Sequence, residues 1–218
     1  MIAVPRLYPI VDARFFRKTE DLVAFATELV AGGCALLQYR NKNGSGRVML
    51  EQARELKKRL TSGSHFSQNL GEVGHPTVRL IMNDRADLAL AAGFDGVHVG
   101  QDDMLPESVR KVLGSDHRLG VSTHNPEQLQ EADQTTADYL AIGPVFSTSS
   151  KEKPDPVVGL EGVRRARQLT RKPLVAIGGI TRANAASVME AGADSVAVIS
   201  DLLRDPRKSA EEFFRILR

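Results

Sequence analysis

Acidic and amide side chains follow two neighbouring apolar runs of the sequence. Asn83 and Asp84 end the first run, and Gln101-Asp102-Asp103 ends the second. The segment between them has helical spacing, and a strand-helix-strand unit of this length joins parallel strands. Both clusters are therefore predicted at the carboxyl edge of one sheet. Mg2+ typically takes one or two carboxylates and leaves its other positions to water and substrate phosphate, so Asp84 and Asp103 are candidate Mg2+ ligands.

Helix capping is the alternative explanation for each acidic cluster taken alone. Asn83 or Asp84 can cap the helix that follows, and Asp102 or Asp103 can cap the next one. The rest of the chain favours the cation site, because other predicted strand ends carry groups that suit phosphate.

Three of these groups alternate along the second predicted strand. Gln38, Arg40 and Lys42 share one face of an extended segment. Arginine offers a planar fork to phosphate oxygens, and lysine offers a point charge. A solvated basic loop explains this motif equally well when it is taken alone. Together with the carboxylate pair and Lys151, which follows the sixth strand, the motif indicates a site for a polyphosphate and Mg2+.

A second anion site is predicted from the glycine turn Gly178-Gly179 after strand seven and the turn after strand eight. Backbone N–H groups at such turns form the usual phosphate cradle of barrel enzymes. A plain tight turn is the alternative for the two glycines.

The elements that position these residues alternate between strand and helix without a break. Eight such pairs predict one (β/α)8 TIM barrel, a single α/β domain over residues 1–218. The alternative, an open doubly wound sheet, needs an edge and usually has fewer strands. Segment 61–77 has no periodicity and is predicted to be a long loop at the amino-terminal end of the barrel. The predicted strands are 7–11, 35–40, 79–82, 96–100, 118–122, 139–145, 174–177 and 195–199, and the predicted helices are 20–31, 47–60, 85–92, 106–113, 125–132, 160–169, 182–191 and 206–217.

Composition excludes several classes of partner. The net charge of +2 comes from 29 basic and 27 acidic residues, which argues against nucleic-acid or membrane binding through a bulk field. There is no Trp, and Cys34 is the single cysteine, so no intrachain disulfide is expected. Pro5-Arg6 interrupts the first apolar residues, and no apolar run approaches membrane length, so a cytoplasmic location is expected.

In combination, the motifs resemble those of the thiamine-phosphate synthase family, and the resemblance extends from Leu7 to Ser200. One position departs from the family pattern: Ser150 stands where Thr is usual, and the hydroxyl is kept. The matching motifs are Gln-x-Arg-x-Lys at 38–42, Asn-Asp at 83–84, His-x-Gly-Gln-x-Asp at 98–103, Gly-Val-Ser-x-His at 120–124, Gly-Pro-x-(Phe/Tyr)-x-Thr-x-Thr-Lys at 143–151, Gly-Gly-Ile at 178–180 and Ile-Ser at 199–200.

The resemblance implies a reaction in which hydroxymethylpyrimidine diphosphate is joined to a thiazole phosphate, giving thiamine monophosphate and pyrophosphate. It implies that Ser122 contacts the pyrimidine near the departing group, and that Arg40, Lys42, Ser122 and Lys151 are the catalytic residues. The other implied roles are a diphosphate site at Gln38, Arg40, Lys42, Asn83 and Lys151, Mg2+ ligation by Asp84 and Asp103, and a thiazole phosphate site at Thr148, Ser150, Gly179, Ile199 and Ser200. Tyr39, Asn41 and Ser149 lie beside these positions and complete the candidate substrate-binding set.

Two other functions are compatible with the barrel. A thiazole tautomerase-like relative needs neither the diphosphate nor Mg2+, and it carries a catalytic histidine in the strand-six loop, where this chain has Pro144. A non-catalytic sensor of a phosphorylated metabolite has little reason to place a metal pair against a diphosphate clamp. Among the histidines, His98 is predicted to be a hydrogen-bonded interior residue, and His124 is predicted to orient a loop near the site.

Overall fold

A computed structural model of the chain describes residues 4–61, 78–148 and 155–218. The strands are parallel and close into a barrel in chain order, with the last strand paired to the first. The predicted (β/α)8 barrel is therefore confirmed, and the open sheet is excluded. The strands are β1 (Leu7–Asp12), β2 (Leu36–Arg40), β3 (Arg79–Asn83), β4 (Gly96–Val99), β5 (Arg118–Thr123), β6 (Tyr139–Ile142), β7 (Leu174–Ile177) and β8 (Ser195–Val198). The helices are α1 (Thr19–Ala31), α2 (Gly46–Thr61), α3 (Ala86–Ala92), α4 (Pro106–Leu113), α5 (Pro126–Asp133), α6 (Gly159–Leu169), α7 (Ala185–Glu190) and α8 (Pro206–Ile216), with short 3₁₀ turns at Ala13–Phe15 and Ser200–Leu202.

Alternation along the strands sorts the buried side chains into two layers. Residues such as Leu7 and Leu37 point outward and pack against the helices in the larger cluster, which also contains Cys34. Residues on the opposite face fill the barrel interior, as in other barrels of this kind. The interior cluster consists of Val4, Tyr8, Ile10, Leu36, Ile81, Tyr139, Ala141, Val175 and Ala197.

Most element boundaries lie within one residue of the predicted ones, and two differ by three residues. β6 ends at Ile142 rather than at residue 145, because Pro144 has no N–H to continue the ladder. α7 begins at Ala185 rather than at residue 182. The preceding turn is held instead by the Asn184 side chain, which accepts a hydrogen bond from the backbone N–H of Thr181 at 2.8 Å.

The ends of α2 and β3 fix where the long connection of the chain begins and ends. α2 continues through Thr61, and β3 begins at Arg79. The loop predicted over 61–77 therefore lies, apart from its first residue, outside the described residues. Among the helices that the structure describes, none has both the length and the apolar character needed to span a membrane.

Candidate active site

A cavity of about 400 Å³ opens at the carboxyl ends of the strands. It brings together residues that are far apart in the sequence, from the ends of β2 to β8. The predicted site residues that line it are Gln38, Arg40, Lys42, Asn83, Asp84, Asp103, Ser122, Thr148, Gly179, Ile199 and Ser200. Ser149, Ser150 and Lys151 lie outside the described residues.

Arg40 is held in place by a carboxylate that the sequence reasoning did not assign. Asp12, the last residue of β1, stands in register with Arg40 at the end of β2. The carboxylate of Asp12 accepts a hydrogen bond of 2.5 Å from Arg40 Nη1 and is only 2% exposed. A buried ion pair of this kind fixes the direction of the guanidinium, so Arg40 is presented to the cavity in one orientation.

The carboxylates of Asp84 and Asp103 face each other across the ends of β3 and β4. Burial raises the pKa of Asp84 to about 6, and the neighbouring Asp103 carboxyl also raises it. The Lys42 ammonium, which forms an ion pair with Asp84, lowers this pKa in opposition. Asp103 is fixed by the backbone N–H of Gly100, which donates to its Oδ2 at 2.7 Å. Two carboxylates so close together repel each other when both are ionised, and a divalent cation between them would relieve this repulsion.

Asp84 lines the cavity and does not cap the helix that follows it. Asp84 has a φ of 64°, an uncommon value for a residue other than glycine. Neither α3 nor α4 receives a side-chain cap from the acidic clusters; the residues at their N-cap positions are Arg85 and Leu105. The capping alternative is therefore excluded for both clusters.

Asn83 supplies an unused donor to the same region. Its amide nitrogen is buried and has no hydrogen-bond partner among the described residues, although the side chain lines the cavity. A buried donor without a partner is costly, so this amide suits a phosphate oxygen of a bound substrate.

The opposite side of the cavity is built by the turn after β7. Gly178 and Gly179 have φ values of 100° and 64°. A Cβ on Gly178 would lie 2.5 Å from the Cβ of Pro144, and one on Gly179 would lie 2.6 Å from the carbonyl oxygen of Ser147. Both glycines are therefore required by conformation and by close packing. This requirement is compatible with a phosphate cradle, and Ser200 after β8 lines the cavity nearby.

A chain of buried polar side chains crosses the floor of the cavity. Gln38 Nε2 donates to the hydroxyl of Tyr8 at 3.2 Å, and this hydroxyl lies 2.8 Å from that of Tyr139. The Tyr139 hydroxyl lies 3.1 Å from Nδ1 of His98, and Nε2 of the same ring lies 2.8 Å from Oγ of Ser122. His98 is thus the hydrogen-bonded interior residue that the sequence predicted. We call these five residues the buried polar chain.

The groups of the buried polar chain that could titrate are neutral near pH 7. Burial raises the pKa of Tyr8 to about 12 and that of Tyr139 well above its usual value. Burial also lowers the pKa of His98 to about 4, although the charge of Asp103 opposes this shift. No member of the chain therefore carries a charge at neutral pH.

The structure does not bring the side chains of Tyr39 and Asn41 to the cavity. Tyr39 points outward from β2, is 2% exposed and donates to Gln52 Oε1 at 2.6 Å. Asn41 Nδ2 also donates to Gln52 Oε1, and its Oδ1 accepts from the N–H groups of Asn43 and Gly44. Asn41 thus shapes the loop that carries Lys42, and contact of these two side chains with substrate stays a prediction.

Two further residues line the cavity: Gln101, to which the sequence assigned no role, and His124, which was predicted to orient a loop. Gln101 donates from Nε2 to the backbone carbonyl of Ser122 at 2.6 Å and so ties the ends of β4 and β5 together. His124 makes a 2.5 Å contact from Nδ1 to the carbonyl oxygen of Gly143, and its Nε2 lies 3.5 Å from the Asp155 carboxylate. This contact fits the predicted loop-orienting role of His124.

The donor set fits a hard cation that also binds substrate. No cluster of three or more His, Cys, Asp or Glu side chains suited to a metal occurs in the described part of the chain. The paired carboxylates of Asp84 and Asp103 fit Mg2+, which commonly takes few protein ligands and completes its coordination with water and phosphate.

The fold and the site together define a TIM-barrel protein whose polar groups converge at the carboxyl ends of the strands. The family profile described as thiamine monophosphate synthase matches residues 7–202, and the chain belongs to this family. It is 60% identical over 219 aligned residues to the thiamine-phosphate synthase of Koribacter versatilis, covering 99% of this chain and 97% of that protein.

A solved structure supports the same assignment. The thiamine phosphate pyrophosphorylase of Pyrococcus furiosus superposes with a TM-score of 0.81 at 33% identity, covering 97% of this chain and 95% of that one. The structure of a 3-hexulose-6-phosphate synthase, at 18% identity and a TM-score of 0.67, shows likeness in fold alone.

Proposed function

We propose that this chain is an enzyme that makes thiamine monophosphate, by joining hydroxymethylpyrimidine diphosphate to a thiazole phosphate with release of pyrophosphate. The observation that carries the proposal is one cavity with two different anion-binding sides. The first side combines Arg40, Lys42 and Asn83 with the Asp84–Asp103 pair, and the second is the Gly178–Gly179 turn.

The first side is assigned to the diphosphate. Arg40 is oriented by Asp12 and offers further N–H groups of its guanidinium to phosphate oxygens. The amide of Asn83 has an unused donor, and Lys42 is exposed enough to move from Asp84 to a substrate oxygen. We assign Gln38 and Lys151 to the same group.

The carboxylates of Asp84 and Asp103 would hold Mg2+ between the protein and the diphosphate. When bound there, the ion supplies positive charge that stabilises pyrophosphate as a leaving group. This role requires Asp84 to be ionised, and the neighbouring Lys42 ammonium favours the ionised form.

The chemical step follows from the electron-rich aminopyrimidine, which supports positive charge on its methylene carbon as pyrophosphate departs. Arg40, Lys42 and Lys151 neutralise the charge that grows on the departing group. Ser122 contacts the pyrimidine from the floor of the cavity. The thiazole nitrogen then captures the methylene carbon, so carbon–oxygen bond cleavage is balanced by carbon–nitrogen bond formation.

The second side holds the thiazole phosphate and so aims its nitrogen at the carbon. Thr148, Gly179, Ile199 and Ser200 line this side, and Ser150 is assigned to it from the sequence. Fixing both substrates converts a bimolecular encounter into a reaction between held groups, which is a large part of the expected rate enhancement. No strong base is needed at the carbon that is attacked.

A pyrophosphate-release assay with both substrates, with and without Mg2+, tests the proposal. We expect one pyrophosphate per thiamine monophosphate formed, and loss of the reaction on chelation. Isomerisation of a thiazole phosphate without pyrophosphate release and without sensitivity to chelator would favour a tautomerase instead. Calorimetric binding of either substrate without any turnover of the pair would favour a sensor.

A further inference from the structure

Each hydroxyl and the imidazole of the buried polar chain carries one exchangeable proton, because its ionisable members are neutral at pH 7. One end is Gln38, whose amide nitrogen can only donate. The other end is Ser122, whose hydroxyl lines the cavity. The direction of the hydrogen bonds between these ends decides whether Ser122 donates or accepts toward a substrate.

The direction can be followed bond by bond from the Gln38 end. The Tyr8 hydroxyl accepts from Gln38 Nε2, so its own proton is available for the Tyr139 oxygen 2.8 Å away. The Tyr139 oxygen accepts this hydrogen bond, so its own O–H can donate to Nδ1 of His98, 3.1 Å away.

The remaining step concerns the tautomer of His98. A neutral imidazole carries one N–H, and a ring that accepts at Nδ1 must carry its proton on Nε2. The Nε2–H then donates to Ser122 Oγ across 2.8 Å. The Ser122 oxygen is therefore an acceptor toward the protein, and its own proton can point into the cavity.

We propose that the buried polar chain runs in one direction, set at Gln38, and that it presents the Ser122 hydroxyl to the substrate as a hydrogen-bond donor. His98 is then a positioning residue that acts through Ser122. The inference rests on the proposed function only for the identity of the acceptor, which we take to be an atom of the pyrimidine diphosphate near its departing group.

The geometry of β5 supports a chain that is built rather than incidental. A Cβ on Gly120 would overlap both the Tyr139 ring and Nδ1 of His98. The glycine thus provides the space in which the tyrosine hydroxyl meets the imidazole. Both side chains are almost fully buried, at 1% and 7% exposure, so water does not compete freely for their hydrogen bonds.

The tautomer can be measured directly on the ligand-free protein. Long-range ¹H–¹⁵N correlation of ¹⁵N-histidine-labelled protein at pH 7 distinguishes protonated from bare ring nitrogens, and a His98→Gln sample identifies the resonances. We expect His98 to carry its proton on Nε2. A proton on Nδ1 would mean that the chain runs in the opposite direction, and a doubly protonated ring would mean that it is not neutral; either result overturns the proposal. The tautomer measurement does not depend on turnover. A wild-type protein without activity would therefore refute the proposed function, while the tautomer would still decide this proposal.

Variant kinetics test whether His98 acts through Ser122. We expect His98→Leu to lower kcat by about tenfold to a hundredfold, and His98→Gln, whose amide can still donate to Ser122, to lose less. In a Ser122→Ala background, His98→Leu should cause almost no further loss. An undiminished loss in that background would contradict the proposal. The matched control is His117→Gln, because His117 directly precedes β5 and is not a member of the buried polar chain. If His98→Leu does not fold, the wild-type tautomer decides alone.

Discussion

At the scale of single residues, the account depends on a guanidinium whose direction is fixed before any substrate binds. Arg40 is the last residue of β2, and its partner Asp12 is the last residue of β1. The pair is in register across two parallel strands, and the carboxylate is buried. Arg40 therefore loses little freedom when it binds an oxyanion, which favours stabilisation of a charge that grows during the reaction.

Removing one charged group from the diphosphate side should abolish most turnover while the barrel stays folded. We expect Arg40→Ala and Asp103→Ala each to lower kcat/KM by about a hundredfold or more. Both proteins should keep the circular dichroism spectrum of a folded barrel. The matched controls are Arg164→Ala on α6 and Asp87→Ala on α3, whose side chains are exposed. Wild-type turnover in either site variant would contradict the assignment.

How far residues could be assigned from sequence depends on the period of the strand. The alternation of Gln38, Arg40 and Lys42 predicts their common face, and all three line the cavity. The same alternation predicts that Tyr39 lies on the other face of β2, where its hydroxyl donates to Gln52. Asp12 was different: its partnership with Arg40 depends on the register of β1 against β2, which the sequence does not state.

At the scale of elements, the glycine in the middle of β5 controls how two neighbouring strands share the barrel interior. Gly120 stands opposite Tyr139 in the ladder and next to His98. An alanine there would overlap the tyrosine ring and the imidazole. Small-to-large changes in a packed interior typically cost about 1–3 kcal/mol, because side chains or backbone must move.

We therefore expect Gly120→Ala to lower the free energy of unfolding by about 1–3 kcal/mol and to reduce kcat as well, because it separates the members of the buried polar chain. Denaturant unfolding measures the first effect. Gly46→Ala at the start of α2 is the matched control, since the nearest atoms to its Cβ are 3.9 Å away. Equal stability of Gly120→Ala and wild type would show that the barrel interior accommodates a Cβ at this position, which would contradict the close contacts in the structure.

Periodicity and turn residues were sufficient to predict all eight strands of the described barrel, while two boundaries differ from the prediction by three residues. The apolar run predicts that β6 continues over Gly143-Pro144-Val145, yet β6 ends at Ile142 because proline cannot donate to the ladder. The pattern predicts that α7 begins at residue 182, but Arg182 lies in the turn before the helix and forms ion pairs with Asp201 and Glu212. Such long-range partners are not visible in a local pattern.

At the scale of the whole molecule, barrel closure collects groups from distant parts of the chain and also buries a neutral histidine. The pKa of His98 is about 4 in the folded protein, against an ordinary value of 6.5. Between these values the unfolded chain binds a proton at this residue and the folded protein does not. Its contribution to stability is therefore complete above about pH 6.5 and is lost as the pH falls toward 4.

We accordingly expect the free energy of unfolding of wild type to fall more steeply between pH 6.5 and 4 than that of His98→Gln, which has no titrating group at this position. Urea denaturation at several pH values measures the two slopes, and His117→Gln controls for the loss of a histidine elsewhere. Parallel slopes for wild type and His98→Gln would show that His98 titrates normally in the folded state.

The central claim is that acidic and basic groups from separate strands together bind a diphosphate and a divalent cation. Its most direct test is calorimetric titration of pyrophosphate into the protein with and without Mg2+, for wild type and for the Asp84→Asn/Asp103→Asn double variant. The account predicts tight binding by wild type only when Mg2+ is present, and at least a tenfold loss in the double variant. Equal affinity with and without Mg2+, or full affinity in the double variant, would contradict it.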